Sequence, residues 1–279
     1  MVLPPQVAAA ARVLREVGAS VRATRANEIL HRPNPPESGL VLDVGSGQAP
    51  HPRADLIVDK YVVDDFERGG GLVIDKPLVV ADGHALPLAD QAFAYIITSH
   101  VLEHATDVVR FADEVQRVAR AGFIQVPSRQ AELTFGWPFH PWLIDREGDT
   151  LVFAPRGEAA APDGPYFHRA FADSALFALW FGAHREHWHH TLHWQGGFAV
   201  RVDGTSAAPQ TADLDIERTL EGLRAMTVTG PTGALREALR CPIDGGTLAD
   251  EPSRMVCADC GRAYPVVGGV PVLLAEAAG

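Results

Sequence analysis

The chain is 279 residues long, 47% hydrophobic and 21% charged, a composition that supports a packed core and excludes a mainly disordered polymer. Its 35 acidic against 24 basic residues give a formal charge of −11, which disfavours a phosphate backbone, and so nucleic acid, as partner. No apolar run is long enough to span a bilayer, no secretory leader pattern opens the chain, and all three cysteines lie beyond position 240; these features predict a cytoplasmic protein with a metal site rather than a disulfide framework.

Residues 6–30 carry Val7, Ala10, Leu14, Val17 and Val21 at helical spacing, which predicts a helix with one buried face. The run HRPNPPESG stops it. Short apolar runs then follow at 40–44, 56–58, 78–81, 94–98 and 123–126. Each has the length and density of a strand buried on both faces. Val108, Phe111, Ala112, Val115, Val118 and Ala119 mark a helix before the last of these runs, with Gly122 as its stop. Strands alternating with helices predict an α/β fold: a parallel sheet with helices on both faces.

From 129 to 200 the pattern is irregular and rich in Trp, Phe and His, as in an insertion over the sheet edge, with a Gly/Pro/Ala stretch at 155–165. Residues 203–213 are small and polar, a linker before a helix that starts near Leu214. The expected organisation is an N-terminal helical segment (1–37), a main domain (38–202) containing the insertion, a linker and helix (203–234), and a small β-rich module (235–279). At roughly 100–200 residues per domain, the length fits that division.

The run VLDVGSGQAP at 41–50 has the form of a first strand entering a glycine turn. Gly45 and Gly47 let a ligand approach the backbone, and Asp43 can order the loop. Asp59 follows the second strand, where a carboxylate can take a ribose diol. Asp82-Gly83 follows the third, where a carboxylate can accept from an adenine amino group. Each aspartate alone could equally cap a helix or solvate a loop. Together, in this order, they point to a nucleoside-containing cofactor.

With these residues in place, VLDVGSG, VDKY and ADGHALPLADQAFAYIITSHVLEHATD resemble the class I S-adenosylmethionine-dependent methyltransferases of the methyltransferase-11 type, across residues 38–128. The resemblance implies a Rossmann-like sheet and S-adenosylmethionine as cofactor. It places the cofactor on Asp43, Gly45, Ser46 and Gly47, then on Asp59, then on Asp82, Gly83 and His84. Two positions depart from the family pattern: Ala49 stands where a third glycine is usual, and Ala94 where Asp is common.

The segment leaving the fourth strand brings Ser99 and His100 to the sheet edge where the methyl group should lie, which makes Ser99 a cofactor contact and His100 a candidate base. His140, in the aromatic group with Trp137, Phe139 and Trp142, is the second candidate. The alternative for both histidines is local packing. The run HREHWHHTLHW at 184–194 has one carboxylate, Glu186, to accompany its histidines, and a solvated or pocket-lining strand face outweighs a metal site there.

In the tail, Cys257 and Cys260 form a Cys-x-x-Cys pair, half of a tetrahedral zinc site. The whole stretch resembles the Trm112-like small zinc ribbons, with Asp244 where the family has its second cysteine. Structural zinc on Cys241, Asp244, Cys257 and Cys260 is the expectation, with an empty vestigial ribbon as the alternative. The resulting functional expectation is O-methylation of a small-molecule or glycan substrate, or of a secondary-metabolite intermediate. The alternatives are methylation of tRNA, rRNA or a translation factor, and a catalytically silent binding module.

Overall fold

The computed structural model describes residues 5–68, 70–157, 161–204 and 214–279, with the side chains of 5–11 left out. Most of the linker expected at 203–213, part of the stretch at 155–165 and Gly69 therefore lie outside the described residues, as do the side chains of Val7 and Ala10.

A long helix, α1 (Pro5–Leu30), precedes β1 (Val41–Val44), β2 (Leu56–Asp59), β3 (Leu78–Ala81) and β4 (Tyr95–Ser99). A 3₁₀ turn at Leu102–His104, α2 (Val108–Val118) and β5 (Ala121–Pro127) follow. The next part contains α3 (Arg129–Phe135), β6 (Trp142–Glu147), β7 (Thr150–Pro155), α4 (Gly164–Asp173), α5 (Ala175–Ala183), α6 (Arg185–Trp188), β8 (His189–Gln195) and β9 (Ala199–Val202). The C-terminal part comprises α7 (Ile216–Ala225), α8 (Ala234–Glu237), β10 (Leu248–Glu251), β11 (Arg254–Cys257), β12 (Ala263–Val267) and β13 (Val270–Leu273).

Ten strands form one sheet in the order β10-β11-β12-β13-β3-β2-β1-β4-β5-β8, and β6-β7-β9 form a second. From β13 through β5 the neighbours run parallel, with β8 antiparallel at the far edge. The five expected strands are all present, because a parallel sheet buried on both faces selects continuous apolar runs. Along β3, Val79 and Ala81 join the cluster containing Phe111 and Val115 of α2, while Leu78 and Val80 join the cluster containing Leu223 of α7. Each face of the sheet thus has its helix.

Helices do not alternate with every strand. Among the described residues, the crossovers β1→β2, β2→β3 and β3→β4 are loops, and only β4→β5 carries a helix of the α type. Pro50 and Pro52 in the first loop, and Pro87 in the third, remove backbone donors and lack an apolar 3.6-residue period. Two smaller expectations also change. Gly122 does not stop α2; it sits inside β5, where an added Cβ would lie 2.6 Å from the Ile96 carbonyl oxygen. α1 forms, but Leu14 is 73% exposed. Its half-buried face reaches α5 instead, where Thr24 and Asn27 donate to the Leu179, Gly182 and Ala183 carbonyls.

The C-terminal strands are continuous with the main sheet. Val272 and Leu273 of β13 pair in parallel with Val80 and Ala81 of β3, and all four are buried. The edge that β3 would otherwise present is covered by the chain's own tail. No helix among the described residues is long and apolar enough to cross a membrane.

Candidate functional site

The carboxyl ends of β1–β4 surround a cavity of about 180 Å³, lined by Gly45, Asp59, Asp82, Gly83, His84, His100 and Phe111 among others. Gly45 adopts φ +67°, and an added Cβ would lie 2.7 Å from a Val101 methyl. Its backbone N–H donates to the Val58 carbonyl. Gly47 also has a positive φ of +55°. These are backbone conformations that side chains disfavour, so the glycine turn is required by geometry. Gly83 is required by packing, since an added Cβ would meet the Phe111 ring at 2.1 Å.

The expected cofactor residues divide into two shells. Gly45, Asp59, Asp82, Gly83 and His84 line the cavity; Asp43, Ser46, Gly47 and Ser99 do not. Asp43 accepts from the His51 backbone N–H at 2.8 Å and thereby fixes the loop after β1. Burial pushes its carboxyl up to about 6. The Ser46 hydroxyl is buried without a hydrogen-bond partner.

Asp59 accepts from the Tyr61 N–H at 3.0 Å, and the Arg68 guanidinium lies 3.7 Å from the same carboxylate oxygen. Burial pushes Asp59 up to about 6 against the pull of Arg68. Its carboxylate lines the cavity, where it can meet a ribose diol. Asp82 is more fully engaged. Oδ1 accepts from the His84 backbone N–H at 2.8 Å and from the ring Nδ1 at 2.7 Å, and Oδ2 accepts from Lys60 at 2.8 Å. Although burial opposes it, these bonds hold Asp82 well below the usual carboxylate range.

His100 follows β4 with φ +58°, an uncommon conformation for a non-glycine residue. Its Nδ1 lies 3.0 Å from Oε1 of Glu103, a carboxylate with no exposed surface. Burial works against ionisation of Glu103, but His100 and the neighbouring histidines hold its carboxyl below the ordinary value. A carboxylate only accepts, so a neutral His100 ring donating from Nδ1 would present Nε2 as an acceptor.

A second cavity of about 800 Å³ adjoins the first and shares Glu67, Arg68, His100 and His104 with it. Phe135, Trp137, Phe139, Phe171 and Phe181 supply its aromatic walls. Trp142, the remaining member of the aromatic group, is instead buried in the main core and donates to the Ala105 carbonyl at 2.7 Å. His140 lines the second cavity, with Nδ1 2.6 Å from Oε1 of buried Glu132. Burial pushes the Glu132 carboxyl up, against the pull of the Arg156 guanidinium 3.2 Å from its Oε2, and pushes the His140 imidazole down. Sequence reasoning assigns no role to Lys60, Arg68, Glu103 or Glu132. Glu103 stands inside the predicted segment, whereas the Glu132–His140 pairing is set by tertiary packing and has no local signal.

The four expected metal residues of the tail converge. Cys241, Asp244, Cys257 and Cys260 place one ligand atom each within 4.8 Å of the others. The Cys241 and Cys260 sulfurs are 3.8 Å apart, and the Cys257 sulfur is 3.4 Å from an Asp244 oxygen. With Zn–S near 2.3 Å and Zn–O near 2.0 Å, tetrahedral edges are about 3.8 and 3.5 Å, so the donor set fits zinc. In the His-rich run, His187 lies in α6, and His189, His190 and His193 lie in β8. Among the described residues, none of these histidines joins a metal-type cluster.

Residues 58–124 match the model of a family described as a methyltransferase domain, and residues 234–269 match that of Trm112p-like proteins. The methyltransferase match begins at β2 and leaves out the glycine turn after β1, although the turn and the matched strands share one sheet. Solved structures similar to the chain include the Bacillus subtilis YcgJ protein, at 20% identity over 40% of this chain and 51% of that one, TM-score 0.27. They also include an S-adenosylmethionine-dependent methyltransferase from Mesorhizobium loti, at 20% identity over 48% and 63%, TM-score 0.28. A chain from the complex of the Haloferax volcanii Trm112 methyltransferase activator with a methyltransferase is similar at 14% identity over 70% and 99%, TM-score 0.33. Our chain thus spans about half the length of YcgJ. Scores this low leave the assignment resting on the two family matches. No curated protein matches the chain.

Proposed function

We propose that the chain is an S-adenosylmethionine-dependent methyltransferase that O-methylates a small hydroxylated molecule, a sugar or secondary-metabolite intermediate included. The observation that carries this reading is the adjacency of the two cavities: the space at the strand ends and the larger aromatic-walled space share Glu67, Arg68, His100 and His104 as lining. The first has the polar groups a nucleoside cofactor needs. The second joins aromatic walls to titratable side chains, His100, Glu103, His104 and His140 among them, a lining that suits a small molecule with apolar and hydroxyl groups.

In the reaction, the acceptor oxygen forms a bond to the methyl carbon as the carbon–sulfur bond of the sulfonium breaks, leaving a neutral thioether. The chain has to align the two reactants and receive the hydroxyl proton. His100 is the base in this proposal, since it lines both cavities and its Nδ1 is oriented by Glu103 at 3.0 Å. Buried His140, paired with Glu132, is not given that role.

Transfer of labelled methyl from the cofactor to a panel of hydroxylated aromatics and sugars tests the reading. His100→Ala should lower kcat by about 100-fold while cofactor affinity holds. Label found in RNA or in a translation factor instead would replace the substrate class. Cofactor binding without turnover on any acceptor would favour a silent binding module.

A further inference from the structure

Glu103, His104 and His140 bring one carboxylate and two imidazoles to the junction of the two cavities, with a ligand atom from each within 4.8 Å of the others. We propose that these three side chains bind a divalent first-row transition metal, distinct from the thiolate site in the tail. Two imidazoles and one carboxylate are a donor set suited to Zn²⁺, Fe²⁺ or Co²⁺, and three protein ligands leave coordination positions open.

Two further observations point the same way. Glu103 has no exposed surface, and its Oε2 has no hydrogen-bond partner, while Oε1 is taken by His100. A buried carboxylate oxygen without a partner is costly, and a cation would supply the missing interaction. In addition, two of the three donor residues are hydrogen-bonded from behind by another polar group. His140 Nδ1 lies 2.6 Å from Glu132 and Glu103 Oε1 lies 3.0 Å from His100 Nδ1, while His104 Nδ1 lies 3.1 Å from Glu67 without a hydrogen bond. Supporting contacts of this kind orient metal ligands and fix the imidazole tautomer. For bonds near 2.0–2.1 Å the donor atoms of a tetrahedral site lie about 3.4 Å apart.

The position gives the ion a task, one that rests on the methyltransferase reading. The larger cavity is lined by Glu103, His104 and His140, so an acceptor hydroxyl there can take an open coordination position. The metal lowers the pKa of that hydroxyl, its proton leaves to His100 or to water, and the resulting oxyanion is the nucleophile for the sulfonium methyl. No electron transfer is involved.

Cobalt titration of the full chain, reduced and stripped of metal, tests the site without any need for turnover. Cobalt on the tail thiolates gives an intense sulfur-to-metal charge-transfer band, whereas cobalt on imidazole and carboxylate gives only ligand-field bands. The expected result is one equivalent lacking the charge-transfer band, lost in both Glu103→Gln and His140→Gln while the thiolate equivalent stays. That retained equivalent also reports that the variants fold. If all bound cobalt shows charge transfer, or if the second equivalent survives both substitutions, the proposal is overturned. X-ray absorption on the cobalt-loaded wild-type chain supplies a check that needs no variant. Imidazole scattering supports the site, because the tail set contains no histidine; its absence overturns it.

Discussion

Asp43 shows how one buried carboxylate shapes the loop that faces the cofactor cavity. It accepts from the His51 N–H and sits with little exposed surface, and burial pushes it up to about 6. Because the folded value lies above the unfolded one, the native state binds more protons between about pH 4 and 6, and stability falls as pH rises through that window. Asp43→Asn keeps the acceptor and removes the titration. Urea unfolding at pH 5 and pH 7 should show the stability difference moving toward the variant by about 1 kcal/mol at the higher pH. A difference independent of pH would place the Asp43 carboxyl at its ordinary value. The same residue illustrates what sequence can show. Its loop-ordering role follows from its place before a glycine turn, but its distance from the cavity wall depends on which way the strand pleat turns. The Glu103–His100 and Glu132–His140 contacts were less accessible still, as each side chain finds its partner through folded geometry.

At the level of elements, strands β1–β5 were legible to within a residue or two because each is a short apolar run with no polar face. Helix α2 was legible from its 3.6-residue period, and Asp107 caps it by accepting from the Arg110 N–H. The loop crossovers were not, since the expectation of a helix came from the general pattern of parallel sheets and the prolines between strands argued locally against it. The pairing of β13 with β3 had only an indirect signal, the apolar finish of the tail, because register between distant segments is a tertiary property. That pairing has a measurable consequence. Leu273 is fully buried against the main sheet, and Leu273→Ala should cost about 2–5 kcal/mol. All five tryptophans lie between 137 and 194, so their fluorescence reports the sheet rather than the tail. A lower denaturation midpoint in tryptophan fluorescence is expected; an unchanged midpoint would mean that the tail unfolds independently.

Across the whole molecule, the tail closes one edge of the sheet and the segment 129–195 closes the other, while the cavity opens at the strand ends between them. The tail's donor geometry leads us to expect one equivalent of zinc that is lost on substituting both Cys257 and Cys260 by Ser, as measured by elemental analysis of chelator-free preparations. Less than about a tenth of an equivalent in the wild-type chain would retire the metal and leave the strand pairing in place. The central claim, however, concerns the cavity itself: that the glycine turn, Asp59 and the Asp82–His84 corner hold an adenosyl cofactor. Calorimetric titration with S-adenosylhomocysteine, on the wild type and on Asp59→Ala, tests it most directly. The account predicts one site per chain, weakened in the variant by about 1–3 kcal/mol for the lost charged hydrogen-bond partner; absence of binding, or equal affinity in both proteins, would contradict it.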